Sequence, residues 1–560
     1  MHMKKRLYHA VKRAGFCFLL INAVAFAHFM SAQVPDKAKV VAAAERAFDK
    51  TTKAVTMPAP GCAVGVSLGG ESVFEKAFGL AEMEHNVPNT ANTIFESGSV
   101  AKQFTAASLV LLQQEGKLSI DDSVKKYIPE LPDYGVPLTI RHILNHTAGL
   151  RDWGAVMALT GAGRGDRVVS QELAVDIILR QKHLDFKPGT EYSYSNSGYQ
   201  LAAEIVERVS KQKFPAFVEE RFFKPLGMKN SSTRDNYQRL IQGRAQAYSR
   251  ANATSSWELN MPFMNVYGNG GMLTTVGDWL KWNAMLDSRS MGGWLVDAME
   301  TQGITNGDKK ISYALGLTVG SYRGMRQVSH NGSTAGYQTS LARYPDQKVS
   351  IAVLCNGTAP NATALSNAIT DEIFGTFPVV DPPKFIEPGE EKLKKFVGVW
   401  RNEKNHFPGT FSFENGGLRF NGGPARFLAD DLVLLGAARV KIGFGKDGRP
   451  TSAESVENDG SVTRFVAETE WKPTADEMKQ FAGNWYSEEA QAGVSFSIED
   501  GKPVIVNKPV IRMALQPVYK DHFITPGYIV WFTRDRAGKI ERMHVGTGRM
   551  RDMWFERVKK

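Results

Sequence analysis

Cysteine is scarce in this chain, with three in 560 residues. That excludes a disulfide-stapled scaffold and a zinc centre built on four cysteines. No run of Lys and Arg is long enough to form a nucleic-acid patch, so the net charge of +10 reads as a solvated surface. Acidic residues are missing from residues 1–32, which hold five of the 68 basic ones; the remainder carries 63 basic against 58 acidic residues, a net +5. Beyond residue 32 no apolar segment is long enough to cross a bilayer. Hydrophobic residues make up 42% and charged residues 22% of the chain, which excludes a mainly disordered or fibrous protein. At roughly 150 residues per domain, a chain of this length is expected to hold about two to four domains.

Residues 1–32 read as a signal peptide. Lys4, Lys5, Arg6, Lys12 and Arg13 precede the apolar run Ala14–Ala27, and small residues follow, placing cleavage after Ala27 or Ala32. Cys17 follows Phe16 at the start of that run, which does not fit a lipid-anchored cysteine. The protein is therefore expected in the periplasm or outside the cell, with no stable membrane span after cleavage. Cys62 and Cys355 remain, both in strand-like runs. They form either a disulfide or two separate buried thiols.

The organisation changes near residue 380. Residues 33–377 mix helical and strand patterns. Residues 378–390 are rich in Pro and read as a linker. After it come short alternating strands around Gly turns, such as Thr410–Glu414 and Leu418–Phe420 across Asn415-Gly416-Gly417. The segment Phe396-Val397-Gly398-Val399-Trp400 returns as Phe481-Ala482-Gly483-Asn484-Trp485, 85 residues later. Two barrel-like β units are expected, at 391–473 and 474–560, with Trp400 and Trp485 as core anchors.

The catalytic candidates lie before the linker. Ser99-Val100-Ala101-Lys102 runs into an apolar helical pattern that stops at Gly116, so Ser99 and Lys102 share one face of a helix opening near Ser99. A Ser hydroxyl needs a base to become a nucleophile, and a Lys one turn away in a dry site can be that base. The motif alone is weak, because Ser123–Lys126 and Ser210–Lys213 also fit it. Gly65-Val66-Ser67-Leu68-Gly69 fits a nucleophile elbow, but a second strand follows where a helix is required. His142 and His146 have metal-ligand spacing without a third ligand and read as structural. Arg164-Gly165-Asp166 reads as a turn.

Further on stand Tyr194-Ser195-Asn196 and His330-Asn331-Gly332. With Ser99-Val100-Ala101-Lys102 they resemble, in order and separation, the three motifs of the serine β-lactamase and penicillin-binding superfamily, in its class C-like branch. His146-Thr147-Ala148-Gly149-Leu150, Pro225-Leu226-Gly227-Met228 and Gly270–Thr275 strengthen the likeness, which covers roughly residues 40–375. It implies a multidomain α+β protein: an antiparallel sheet with helices on both faces, a helical lobe beside it, and two small all-β barrel-like domains behind.

The resemblance also implies roles. Ser99 attacks a carbonyl. Lys102 and Tyr194 share the acid–base work, with Tyr194 ionised or polarised by the charge of Lys102. Asn196 bonds Lys102 or the substrate amide. The N–H groups of Ser99 and Ser333 form an oxyanion hole, and Gly332 lets substrate backbone approach an edge strand. No metal or cofactor is required. At His330, β-lactamases of this branch usually carry Lys; His is typical of certain D,D-peptidases and D-aminopeptidases. The implied function is an exported serine hydrolase cleaving amide bonds of small peptides with D-residues. An esterase or β-lactamase, or a non-catalytic binder of peptidoglycan or peptide, stands as the alternative.

Overall fold

The computed structural model describes residues 34–161, 168–375, 383–456, 462–507 and 511–558. The signal peptide, Arg164-Gly165-Asp166 and residues 378–382 of the linker lie outside the described residues.

A six-stranded antiparallel sheet forms the centre of the first domain. Its strands are β1 (Cys62–Leu68), β2 (Glu71–Phe78), β3 (Thr318–Tyr322), β4 (Met325–Thr334), β5 (Tyr337–Tyr344) and β6 (Val349–Cys355). They lie in the order β3-β4-β5-β6-β1-β2. Gly69 and Gly70 join β1 to β2 as a tight hairpin with positive φ, so Ser67 sits in a strand pair and not on a nucleophile elbow.

Strand alternation divides the core into two layers. On one face Cys62, Val64 and Val66 pack with α1 (Lys37–Lys53) and α5 (Ala362–Phe374). On the other, Gly65 admits α4 (Val276–Ser288): a Cβ there would stand 3.1 Å from Val276 and Leu280. The lobe beside the sheet contains α2 (Lys102–Gln114) and α3 (Asn196–Ser210). Every residue of α2 from Lys102 to Val110 is buried, including its polar ones, as in a helix enclosed on all sides. β1 and β6 pair in a register that opposes Cys62 directly to Cys355, and the two form a disulfide.

Behind the linker, eight strands between Gly398 and Glu468 close into a barrel with its own core. Nine strands between Gly483 and Arg557 form a second, open sheet, whose end strands are Ile511–Ala514 and Gln516–Tyr519. The repeated motif has the same physical content in both. Gly398 and Gly483 have φ of 145° and 148°, and each buried Trp donates its indole N–H to the Phe carbonyl four residues before it, at 3.2 and 3.3 Å. The two copies differ in attachment. The apolar core of the second unit is continuous with that of the helical lobe, so this unit is fused to the first domain.

Candidate active site

Strand Phe95–Glu96 ends in Ser97, and a 3-10 turn over Gly98–Ala101 leads into α2. Ser99 therefore sits on the tight turn, and the α-helix expected to open near it begins three residues later, at Lys102. Gly98 has φ 54°, and a Cβ on it would come within 2.7 Å of Ser333 N. A Cβ on Gly332 would come within 2.0 Å of Ser97 O and 3.2 Å of Ser99 N. The two glycines thus let β4 lie directly against the turn, bringing the Ser99 and Ser333 N–H groups to one corner. At Gly332 the place of a Cβ is taken by Ser97 O, an approach that only glycine allows. Strand β4 is the second strand of the sheet, but β3 pairs with it only as far as Ser329. His330–Thr334 therefore have a free flank on that side.

Lys102 is fully buried. Its Nζ lies 2.9 Å from Asn196 Oδ1, 2.7 Å from Asn269 O and 3.2 Å from Ser99 Oγ. Burial holds its pKa well below the ordinary lysine range; the charge of Asp152 opposes that shift and that of Arg549 adds to it. A neutral amine has two hydrogens and one lone pair. The hydrogens go to the two carbonyl oxygens, and the lone pair is left for the Ser99 proton.

Asp152, which sequence reasoning missed, sets this up. It accepts from Asn196 N at 2.8 Å and Nδ2 at 2.9 Å, so the Asn196 amide must turn its oxygen to Lys102. The same carboxylate caps the helix Trp153–Ala158 through Gly154 N and Ala155 N. An Asp just before a short helix looks in sequence like a cap and nothing more. Asn269, on a loop, carried no signal either.

Tyr194 corrects an expectation. Burial pushes its phenol well above the ordinary tyrosine pKa, with Ser99 and Arg549 opposing, so it is a neutral O–H and not a phenolate. Its Oη is buried beside Ser99. His146 packs on the Tyr194 ring at 4.1 Å and accepts from Ser195 N through Nδ1. His142 instead caps its own helix, accepting from Thr139 N. The two histidines have separate structural jobs.

His330 is also neutral. Its Nδ1 donates to Asn331 O at 2.7 Å, and its Nε2 accepts from Tyr313 Oη at 2.9 Å. Burial, with the charge of Lys102 adding to it, lowers its pKa to about 3. The cation that approaches the site is Arg549, at the turn between β7 (Ile540–Thr547) and β8 (Met550–Arg557) of the second β unit. Its guanidinium lies 5.0 Å from the Tyr194 ring centroid. Its carbonyl accepts from Asp152 N at 3.0 Å. In sequence it is one residue of a Gly-rich hairpin.

The second β unit is anchored around this point. Glu489 is buried against Arg151 at 2.6 Å and accepts from Lys182 N at 3.0 Å. Arg551 pairs with Glu191 at 2.9 Å and donates its backbone N–H to Asp185. Lys404 of the first barrel reaches the same Glu191 at 2.6 Å.

Ser99, Tyr194, Asn196, His330, Gly332, Ser333 and Arg549 all line one cavity of about 520 Å³. A small-molecule or short-peptide pocket has this scale and mix of polar groups.

Penicillin-binding protein 4* of Bacillus subtilis (strain 168) is 31% identical over 306 residues, covering 51% of this chain and 66% of that protein. The D-aminopeptidase of Cereibacter sphaeroides (strain KD131 / KCTC 12085) is 25% identical over 524 residues, covering 89% of this chain and 96% of that protein. The octameric penicillin-binding protein homologue from Pyrococcus abyssi shares the fold with a TM-score of 0.53 at 23% identity, over 84% of this chain and 99% of that one. The Beta-lactamase family model matches residues 45–373. That match spans more than half of the chain and takes in the whole cavity apart from Arg549, so this protein belongs to the Beta-lactamase family and is a serine hydrolase of the β-lactamase and penicillin-binding superfamily.

Proposed function

We propose that this chain is an exported serine amidohydrolase that cleaves small peptides containing D-residues through an acyl-enzyme on Ser99. The observation that carries the reading is the buried amine of Lys102, whose Nζ lies 3.2 Å from Ser99 Oγ and within hydrogen-bond distance of Asn196 Oδ1 and Asn269 O. Lys102 takes the Ser99 proton as Oγ bonds to the amide carbon. The Ser99 and Ser333 N–H groups receive the oxyanion. As the C–N bond breaks, the leaving nitrogen takes a proton from Tyr194 O–H, and the Lys102 ammonium restores that proton. Water then attacks the ester and gives its proton to Lys102, Ser99 Oγ recovers a proton as it leaves, and the acid departs. Asn196 and Asp152 hold the amine throughout.

The D-residue class is supported by the D-aminopeptidase relative, which aligns over nearly its full length. Export is supported by the basic and apolar pattern of residues 1–32 and by the Cys62–Cys355 disulfide, since such bonds persist in oxidising compartments. The test is turnover of matched D- and L-residue peptides and amides by purified protein and by Ser99→Ala. Faster hydrolysis of the D-series, lost in Ser99→Ala, is expected. Equal rates on both series, or activity surviving Ser99→Ala, would overturn the reading.

A further inference from the structure

The eight-stranded barrel between Gly398 and Glu468 has two ends of different chemistry. One end is plugged. Leu393, on the short helix Glu390–Lys394, is buried there, and Phe396 packs on Phe411, Phe427 and Phe444 with ring centroids 5.9, 5.4 and 6.1 Å away. At the other end a cavity of about 450 Å³ opens among Phe420, Leu435, Ala438, Ser455 and Phe465. Ligand pockets start at about 300 Å³, so this one has room for a small molecule.

Strand register places the cavity inside the barrel. Residues directly opposite on neighbouring strands share a face. Phe420 opposes Phe411, Ser455 opposes Val440, and Phe465 opposes both Ala453 and Asn402. Phe411, Val440 and Ala453 belong to the barrel core, so their partners point inward as well. Phe420, Leu435 and Phe465 are nonetheless only partly buried, because they border the cavity. A closed barrel of eight strands either fills its interior with side chains or holds one small ligand. This barrel does the first at its plugged end and has the walls for the second at its open one.

The lining sets the chemistry of the ligand. Among the described residues no charged side chain lines the cavity. An ionised group would lose its water there and meet no counter-charge, so the ligand is uncharged. Asn402, also in the wall, is 9% exposed. Its Oδ1 accepts from Lys404 N at 2.9 Å, and its Nδ2 makes no hydrogen bond among the described residues. That amide is a buried donor in want of an acceptor.

We propose that the first barrel binds one small, uncharged, mainly apolar molecule with a single hydrogen-bond acceptor, of the class of a medium-chain ketone or alcohol. Its acceptor meets Asn402 Nδ2, and its body lies against Phe420, Leu435 and Phe465. The site shares no lining residue with the Ser99 cavity and stands whether or not Ser99 is a nucleophile.

The experiment titrates the purified protein with N-phenyl-1-naphthylamine, an uncharged dye whose emission rises in apolar surroundings, and displaces it with 2-decanone or with decanoate. Saturable binding of one dye per chain is expected. The ketone should displace it at a concentration about tenfold or more below that of decanoate, whose charge has no partner in the cavity. Ala438→Phe fills the cavity and should weaken dye binding about tenfold or more, with the far-ultraviolet circular dichroism and the thermal melt unchanged. Thr463→Leu, a milder filling of the same wall, carries the same test if Ala438→Phe does not fold. Asn402→Asp keeps the acceptor for Lys404 N and removes the donor, so the ketone should lose about tenfold in affinity and the dye less. Absence of saturable dye binding would overturn the proposal, and so would dye affinity that the folded filling variants leave unchanged. Decanoate that competes as well as the ketone would refute the uncharged class, and equal ketone affinity in Asn402→Asp would refute the acceptor contact.

Discussion

Replacing Asp152 with Asn tests the architecture around Lys102 without touching a group that meets substrate. One Asp152 oxygen accepts from Asn196 N and Nδ2, and the other from Gly154 N and Ala155 N. Asn keeps one oxygen for the helix cap, where it serves as well as Asp. Its other arm becomes an NH2 group facing two N–H donors. The conflict is relieved if the Asn196 amide turns over, which presents Nδ2 to Lys102. The Lys102 lone pair is then drawn to Asn196 and away from Ser99 Oγ. Each lost charge-assisted bond is worth about 1.5–3 kcal/mol, and misplacing a general base costs about 10²–10⁴ in rate. We expect kcat/KM to fall about 100-fold and stability by about 2 kcal/mol. The pH profile adds a sign. The Asp152 charge raises the Lys102 pKa against the dominant effect of burial, so removing it lowers that pKa further. Activity needs the neutral amine and falls as pH drops through this pKa, so the acid limb should move to lower pH in Asp152→Asn. The assay is kcat/KM on a D-peptide from pH 5 to 10, beside a thermal melt. A limb that moves to higher pH, or a kcat/KM within a few-fold of wild type, would refute the argument.

Tyr194→Phe removes the proposed acid without opening a cavity, so turnover should fall by about 10²–10⁴ while the melting temperature changes little, read by kinetics and calorimetry on one sample. Cys62→Ala with Cys355→Ala opens a link across 293 residues at the centre of the sheet; about 2–4 kcal/mol of stability should be lost, measured by denaturant unfolding. Glu489→Gln leaves Arg151 with the more distant Asp185, at 3.7 Å, as its ionic partner and should cost about 1.5–3 kcal/mol, releasing the second β unit to limited proteolysis before the first domain unfolds. With His330 held neutral and the Tyr194 phenol raised well above the ordinary tyrosine range, neither group should place a limb near neutral pH in the wild-type rate profile, and a limb near pH 6.5 that His330→Gln removes would contradict the His330 assignment.

Local patterns were legible wherever short-range physics decides the outcome. Ser99 and Lys102, three apart, could meet only on a helical turn, and they do. The Gly69-Gly70 turn made a hairpin of a stretch that otherwise matched a nucleophile elbow. The spacing from Phe396 and Phe481 to their tryptophans encoded the same Trp–carbonyl bond twice. What the tertiary structure alone decided depends on groups hundreds of residues apart. The pairing of Cys62 with Cys355 follows from the register of β1 against β6, which no local pattern specifies. The protonation of Lys102, Tyr194 and His330 follows from burial and from the neighbours that occupy their lone pairs and hydrogens. Asp152 and Glu489 look like any acidic residues until the fold removes water from them and leaves each with specific donors. Arg549 reads as a hairpin residue because its position depends on the docking of the second β unit, held by contacts that are satisfied only once both units are built. The Ser99–Lys102 pair is thus written in neighbouring residues, whereas the cation that lines the same cavity, Arg549, comes from a domain interface, because a field acts through space and not along the chain.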